Sequence, residues 1–85
     1  MDAIEGQVRT IITSLTGLPS HFSEDANLYL DLGVASVHAL QLLTELEKSF
    51  RISIPDDDFV EATSLRQLTT MIHGLQEKAG DSAHA

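Results

Sequence analysis

Among the residues able to do chemistry, Ser36 stands out, in the stretch DLGVASVHALQLLTELEKSF that begins at Asp31. It sits where a polar loop gives way to a strongly amphipathic segment, with Ala35 before it and His38 two residues after. A serine nucleophile needs a base within hydrogen-bond reach and a third group to orient that base. His38 does not qualify, because residues i and i+2 point to different sides of a helix. No G-x-S-x-G elbow surrounds Ser36 either, so no catalytic residue is assigned. Two other uses of the hydroxyl stay open. As a helix N-cap, serine contributes on the order of 1 kcal/mol. As the acceptor of a phosphoester, it would lie against unpaired N–H groups and the positive end of the helix dipole.

The other candidates are weaker. The acidic run Asp56-Asp57-Asp58 lacks the spaced oxygens and glycine of a calcium loop. It reads better as the solvated start of a short helix, where carboxylates favour the dipole. His21, His38, His73 and His84 show no metal-ligand spacing, so no metal is expected. His38 reads as a plain surface histidine.

The elements that must hold Ser36 have to fit into 85 residues. A chain of this size buries about 60–65% of its unfolded surface, enough for one thin core and too little for a deep active site. There is no cysteine, which fits a reducing, cytoplasmic setting. The first residues do not read as a basic-then-apolar leader and no run of about 18 apolar residues occurs, so neither a secretion signal nor a membrane span is expected. Thirteen acidic residues against five basic ones give a net charge of −8. Such a surface repels phosphate backbones and anionic lipid and attracts basic patches on proteins. Nucleic acid and membrane are therefore not expected partners, and the charge favours a soluble monomer.

Hydrophobic periodicity predicts an all-α fold: a small antiparallel four-helix bundle of three long helices and one short, with a long loop between the first two. Ile4, Val8, Ile11, Ile12 and Leu15 form one face of a first helix, capped by Asp2 and ended by Gly17 in a left-handed turn. The loop that follows is longer than ordinary connections, and such loops tend to be functional. Its Leu18, Phe22, Leu28, Leu30 and Leu32 should pin it to the core. The second helix runs from about Ser36 to Phe50, with Ala39, Leu42, Leu43, Leu46 and Phe50 inward. Val37, Leu40, Gln41, Thr44 and Lys48 lie toward the opposite side. RISIP, stopped by Pro55, reads as an extended connector. A short acidic helix then turns Phe59 and Val60 inward. The last helix starts near Thr63 or Ser64 and carries Leu65, Leu68, Met71 or Ile72, and Leu75. One domain over 1–78 is expected, with 79–85 an unstructured tail.

Several landmarks come together in one order: D-L-G before Ser36, L-x-x-x-L-E-x-x-F over Leu42–Phe50, then I-x-I-P-D and the threonine that opens the last helix. From roughly Ile4 to Leu75 the chain resembles the acyl carrier protein family. By position, the resemblance implies that Ser36 receives 4'-phosphopantetheine from coenzyme A through a separate phosphopantetheinyl transferase. The thiol of that group would then carry an acyl or aminoacyl cargo as a thioester. It further implies that the chain is not an enzyme, and that an acyl or aminoacyl ligase and a downstream synthase or transferase are its partners. The docking surface would be the loop and second helix: Asp31, Ala35, Val37, His38, Leu40, Gln41, Thr44, Glu47 and Lys48.

Where the family usually has Asp-Ser-Leu, this chain has Ala35-Ser36-Val37. His38, Gln41 and Lys48 stand at commonly acidic positions, and Thr44 replaces a usual apolar contact; Asp31, Glu45 and Glu47 remain. Removing like charges from a docking patch changes which basic partner is preferred. These departures point to a specialised stand-alone carrier, with aminoacyl, peptidyl, polyketide and lipid-pathway carriers as its nearest kinds. The competing reading is an unmodified protein-interaction domain that keeps the carrier fold.

Overall fold

The computed structural model describes residues 3–84, with side chains described for 3–77. Four helices follow in order: α1 (Ala3–Thr16), α2 (Ser36–Phe50), α3 (Asp56–Glu61) and α4 (Leu65–His84). The chain is thus an all-helical globule with three long helices, one short one and a long loop between α1 and α2. α1 packs against both α2 and α4, and α3 leans on α4. Asp2, the expected cap of α1, lies outside the described residues. α4 continues past Lys78, and the expected tail over 79–85 falls where no side chain is described.

The inward faces follow the periodicity. Val8 and Ile12 of α1, Leu42 and Leu46 of α2, and Leu65, Leu68 and Ile72 of α4 are buried together. Ile4, Ile11, Leu15, Ala39, Leu43, Phe50, Met71 and Leu75 pack around them. Each fully buried aliphatic side chain contributes about 1.5–3 kcal/mol. Gly17 ends α1 at φ 76°, with its N–H still on Thr13 O at 2.9 Å. α2 ends less comfortably, since Arg51 takes the left-handed conformation (φ 55°, ψ 48°) that glycine adopts most readily.

Two expectations about apolar residues fail. Val60 is 72% exposed, while its neighbour Phe59 is buried. Consecutive helical residues point about 100° apart, so one short helix resting on α4 buries only one of them. Leu30 is 85% exposed, although Phe22 and Leu28 on the same loop are buried. The Asn27 Oδ1 accepts the N–H groups of Tyr29 and Leu30, both at 2.9 Å, curling the backbone into an asparagine-headed turn. Buried Leu28 faces inward, and Leu30 is left on the outer side of the turn.

The loop is held from three sides. Arg9 of α1 donates to Ser20 O at 2.7 Å and Phe22 O at 2.6 Å, with its guanidinium 4.5 Å from the Phe22 ring centroid. Arg66 of α4 pairs with Glu24 at 2.6 Å and Asp25 at 2.5 Å, and its N–H reaches Glu24 O at 3.0 Å. Leu28 donates to Thr63 O at 2.8 Å and accepts from Val34 N–H at 2.9 Å. A loop fixed in this way delivers residue 35 to one place.

Candidate functional site

Asp31, Gly33 and Ala35 set the approach to α2. The Asp31 Oδ2 accepts the Asn27 N–H at 2.8 Å, closing the turn that Asn27 opens. Gly33 at φ 71° redirects the chain, a conformation that costs residues with a Cβ more than it costs glycine. Ala35 is then extended (φ −72°, ψ 147°) and occupies the N-cap position of α2 with no side-chain cap hydrogen bond.

Ser36 is therefore the first helical residue and not the cap. Its side chain is exposed, and among the described residues no hydrogen bond engages its hydroxyl. The first-turn N–H groups of a helix lack intrahelical partners. Here no side chain covers them from the cap position, and no acidic residue occupies the first turn. A phosphoester on Ser36 fits this setting: an accessible oxygen, uncapped donors and the positive end of a 15-residue helix.

The remaining predicted residues divide by setting. Val37 (61% exposed) and Leu40 (69%) are open apolar side chains, and Gln41, Thr44 and Lys48 are exposed beside them. Positions 37, 41, 44 and 48 recur at helical spacing and form one outward stripe. Lys48 reaches Glu45 at 3.8 Å, an exposed pair of little energetic weight. Glu47 is half-buried, and its Oε2 accepts the Ile54 N–H at 2.9 Å, so this carboxylate fastens the connector to α2.

His38 is not the plain surface histidine expected. It is half-buried, and its Nδ1 is enclosed without a hydrogen-bond partner. Sequence reasoning also missed Leu30, which stands out from the loop, and Asn27, which builds the turn beneath it. Asn27 was findable, because an asparagine heading a turn before Gly33 is a recognised signal.

Among the described residues, no group of three His, Cys, Asp or Glu side chains could hold a metal ion. Nor is any helix among them long and apolar enough to cross a membrane.

Comparison with known proteins agrees with this geometry. Residues 6–72 match the phosphopantetheine attachment site family. An acyl carrier protein of Guillardia theta is 36% identical over 67 residues, covering 78% of this chain and 83% of that protein. One from Rickettsia bellii is 30% identical over 78 residues, covering 91% and 87%. The non-reducing polyketide synthase pigA of Monascus ruber is 35% identical over 80 residues, or 93% of this chain. That match spans only 3% of the synthase. With an all-helical fold, an exposed serine at an uncapped helix start and a family match over most of its length, the chain belongs to the phosphopantetheine-attachment family, as a carrier domain similar to acyl carrier proteins.

Proposed function

We propose that Ser36 is the residue that takes up 4'-phosphopantetheine, and that the carried group is the acyl cargo of a specialised biosynthetic pathway. The carrying observation is position: within the matched region Ser36 is the exposed serine that opens a long helix with an uncapped N-terminus. Ser64 also stands at a helix start, but its hydroxyl is buried and spent on the cap, and the exposed Ser14, Ser20, Ser49 and Ser53 lie away from any helix start. When attached, the group supplies a thiol on a flexible arm. The protein supplies the oxygen that bonds to phosphorus, the helix end that favours the phosphate, and a surface for the enzymes that load and use the thiol.

Family membership implies a phosphopantetheinyl transferase and biosynthetic enzymes as partners. We propose that they dock on Asp31, Ala35, Val37, His38, Leu40, Gln41, Thr44, Glu47 and Lys48, with Leu30 added from the loop, and that this takes place in the cytoplasm. The neutral and basic residues among these oppose the strongly acidic patch that a basic housekeeping partner would select. Both kinds of relative named above, acyl carrier proteins and a polyketide synthase, favour an acyl cargo over an aminoacyl one.

Incubation with coenzyme A and a broad-specificity phosphopantetheinyl transferase, followed by intact-mass measurement, tests the attachment. One added phosphopantetheine, abolished in Ser36→Ala, is expected. No addition with several transferases would make this chain an unmodified interaction domain. Loading the thiol from separate panels of acyl and amino acid ligases then tests the cargo. Preferential aminoacylation would replace the acyl reading. Extension by fatty-acid enzymes as efficient as that of a standard carrier would end the specialised one.

A further inference from the structure

A groove of about 450 Å³ runs between α3 and α4, lined by residues of Asp58–Ala62 and Arg66–Leu75. No residue of α2, or of the loop that leads to Ser36, lines it. Along α4 it extends roughly 14 Å at 1.5 Å per residue, which suits a length of chain better than a compact small molecule. Its apolar lining comes from Ala62, Met71 and Leu75, the last two only half-buried.

Gly74 also lines this groove, and a Cβ there would meet no atom within 4 Å. A glycine inside a helix weakens it relative to alanine, and neither a close approach nor a positive φ requires one here. What its missing side chain does is leave the groove open beside Met71 and Leu75.

Charge identifies the occupant. Asp58 and Glu61 stand exposed on the rim, and among the described residues no cation pairs with either. Arg66 also touches the groove, but its guanidinium is matched by Glu24 and Asp25 on the loop side. Among the described residues the rim thus presents two carboxylates without a cation beside an apolar floor, on a chain of net charge −8. Anionic lipid is repelled by such a surface. An amphipathic segment lays its apolar side chains into a groove and its charges on the rim.

We infer that the groove between α3 and α4 is a second docking surface, which takes a basic amphipathic helix of a partner protein. The groove takes no lining residue from α2 or from the loop before Ser36, so a partner seated in it would use residues other than those of the exposed stripe. This inference is independent of the attachment reading, because Ser36 does not line the groove.

The test is a titration of isotope-labelled full chain with a short synthetic helix of leucine and lysine, followed by amide chemical shifts. Shifts centred on residues 58–62 and 66–75 are expected. The double variant Asp58→Lys, Glu61→Lys should weaken binding about tenfold or more. Gly74→Leu, whose Cβ meets no atom within 4 Å, should weaken it several-fold while the protein stays folded by circular dichroism. Glu45→Lys on α2 should leave it unchanged, and phosphopantetheine loading should be the same in Gly74→Leu as in the wild-type chain. Shifts confined to α2 or the loop before Ser36, or undiminished binding to Gly74→Leu, would overturn the inference. So would concentration-dependent shifts of the groove residues in the protein alone, which would assign the groove to a second copy.

Discussion

The starts of α2 and α4 are built from similar residues and put to opposite use. At α4, Ser64 is the cap. Its buried Oγ accepts the Gln67 N–H at 3.2 Å, and Gln67 Oε1 reaches back to the Thr63 N–H at 3.0 Å and to both hydroxyls at 3.2 Å. This is a close variant of the capping box. At α2 the serine is one position later, an alanine holds the cap position, and the hydroxyl faces solvent. A hydroxyl spent on capping is not available for bonding to phosphorus. Moving the serine by one residue frees the hydroxyl from capping and leaves it exposed, and the helix loses its cap.

The largest test of this contrast exchanges the roles directly. Ser36→Ala should abolish phosphopantetheine addition in intact-mass measurements while shifting stability by less than about 0.5 kcal/mol, the range of ordinary surface changes. A large loss of stability would show that the hydroxyl has a folding role and break the comparison. Ser64→Ala should do the reverse, costing about 1–2 kcal/mol with loading intact. In a domain of this size that lowers Tm by about 4–8 °C per kcal/mol, which a thermal melt resolves.

Ala35→Asp sharpens the comparison by giving α2 the cap it lacks. Urea unfolding should show a gain of about 0.5–1 kcal/mol. Combined with His38→Glu and Gln41→Glu, it should also raise the rate of loading by fatty-acid-type transferases. Unchanged rates would mean that this surface does not discriminate between transferases.

The smallest effect concerns the clamp that joins the loop to α4. The Arg66 guanidinium, hydrogen-bonded to Asp25, holds the Asp25 carboxyl below its ordinary value of 3.8. A carboxyl lowered by folding contributes stability that is present above its unfolded value and lost as pH falls through the folded one. Acid unfolding should therefore steepen below pH 3.8, and Asp25→Asn should flatten that part of the curve with little change at neutral pH. The exposure of the pair keeps the effect small. An unaltered acid limb in Asp25→Asn would show that the clamp does not hold the loop.

Much of this was legible in the residues. The inward faces of α1, α2 and α4 were readable because a helical period imposes one buried side whatever the partner helix. Ser36, the connector ended by Pro55 and the turn at Gly17 were readable from local chemistry. Leu30 and Val60 were misread, since an apolar residue in a turn or a six-residue helix has no period to declare its direction. The buried Nδ1 of His38 was invisible for a related reason: enclosure depends on what other elements place around the ring.

By itself, the sequence determined the number of helices, their core faces, the acidic surface and the position of Ser36 at the start of α2. Those are matters of local spacing and composition, and they hold before any two helices meet. Tertiary structure decided that Ala35 and not Ser36 holds the cap position of α2, that Glu47 fastens the connector, and that α3 and α4 leave a groove between them. The loop that sets the start of α2 depends on groups far apart in the chain, such as Arg66 with Glu24 or Leu28 with Thr63. Only the folded chain brings such groups within hydrogen-bonding distance.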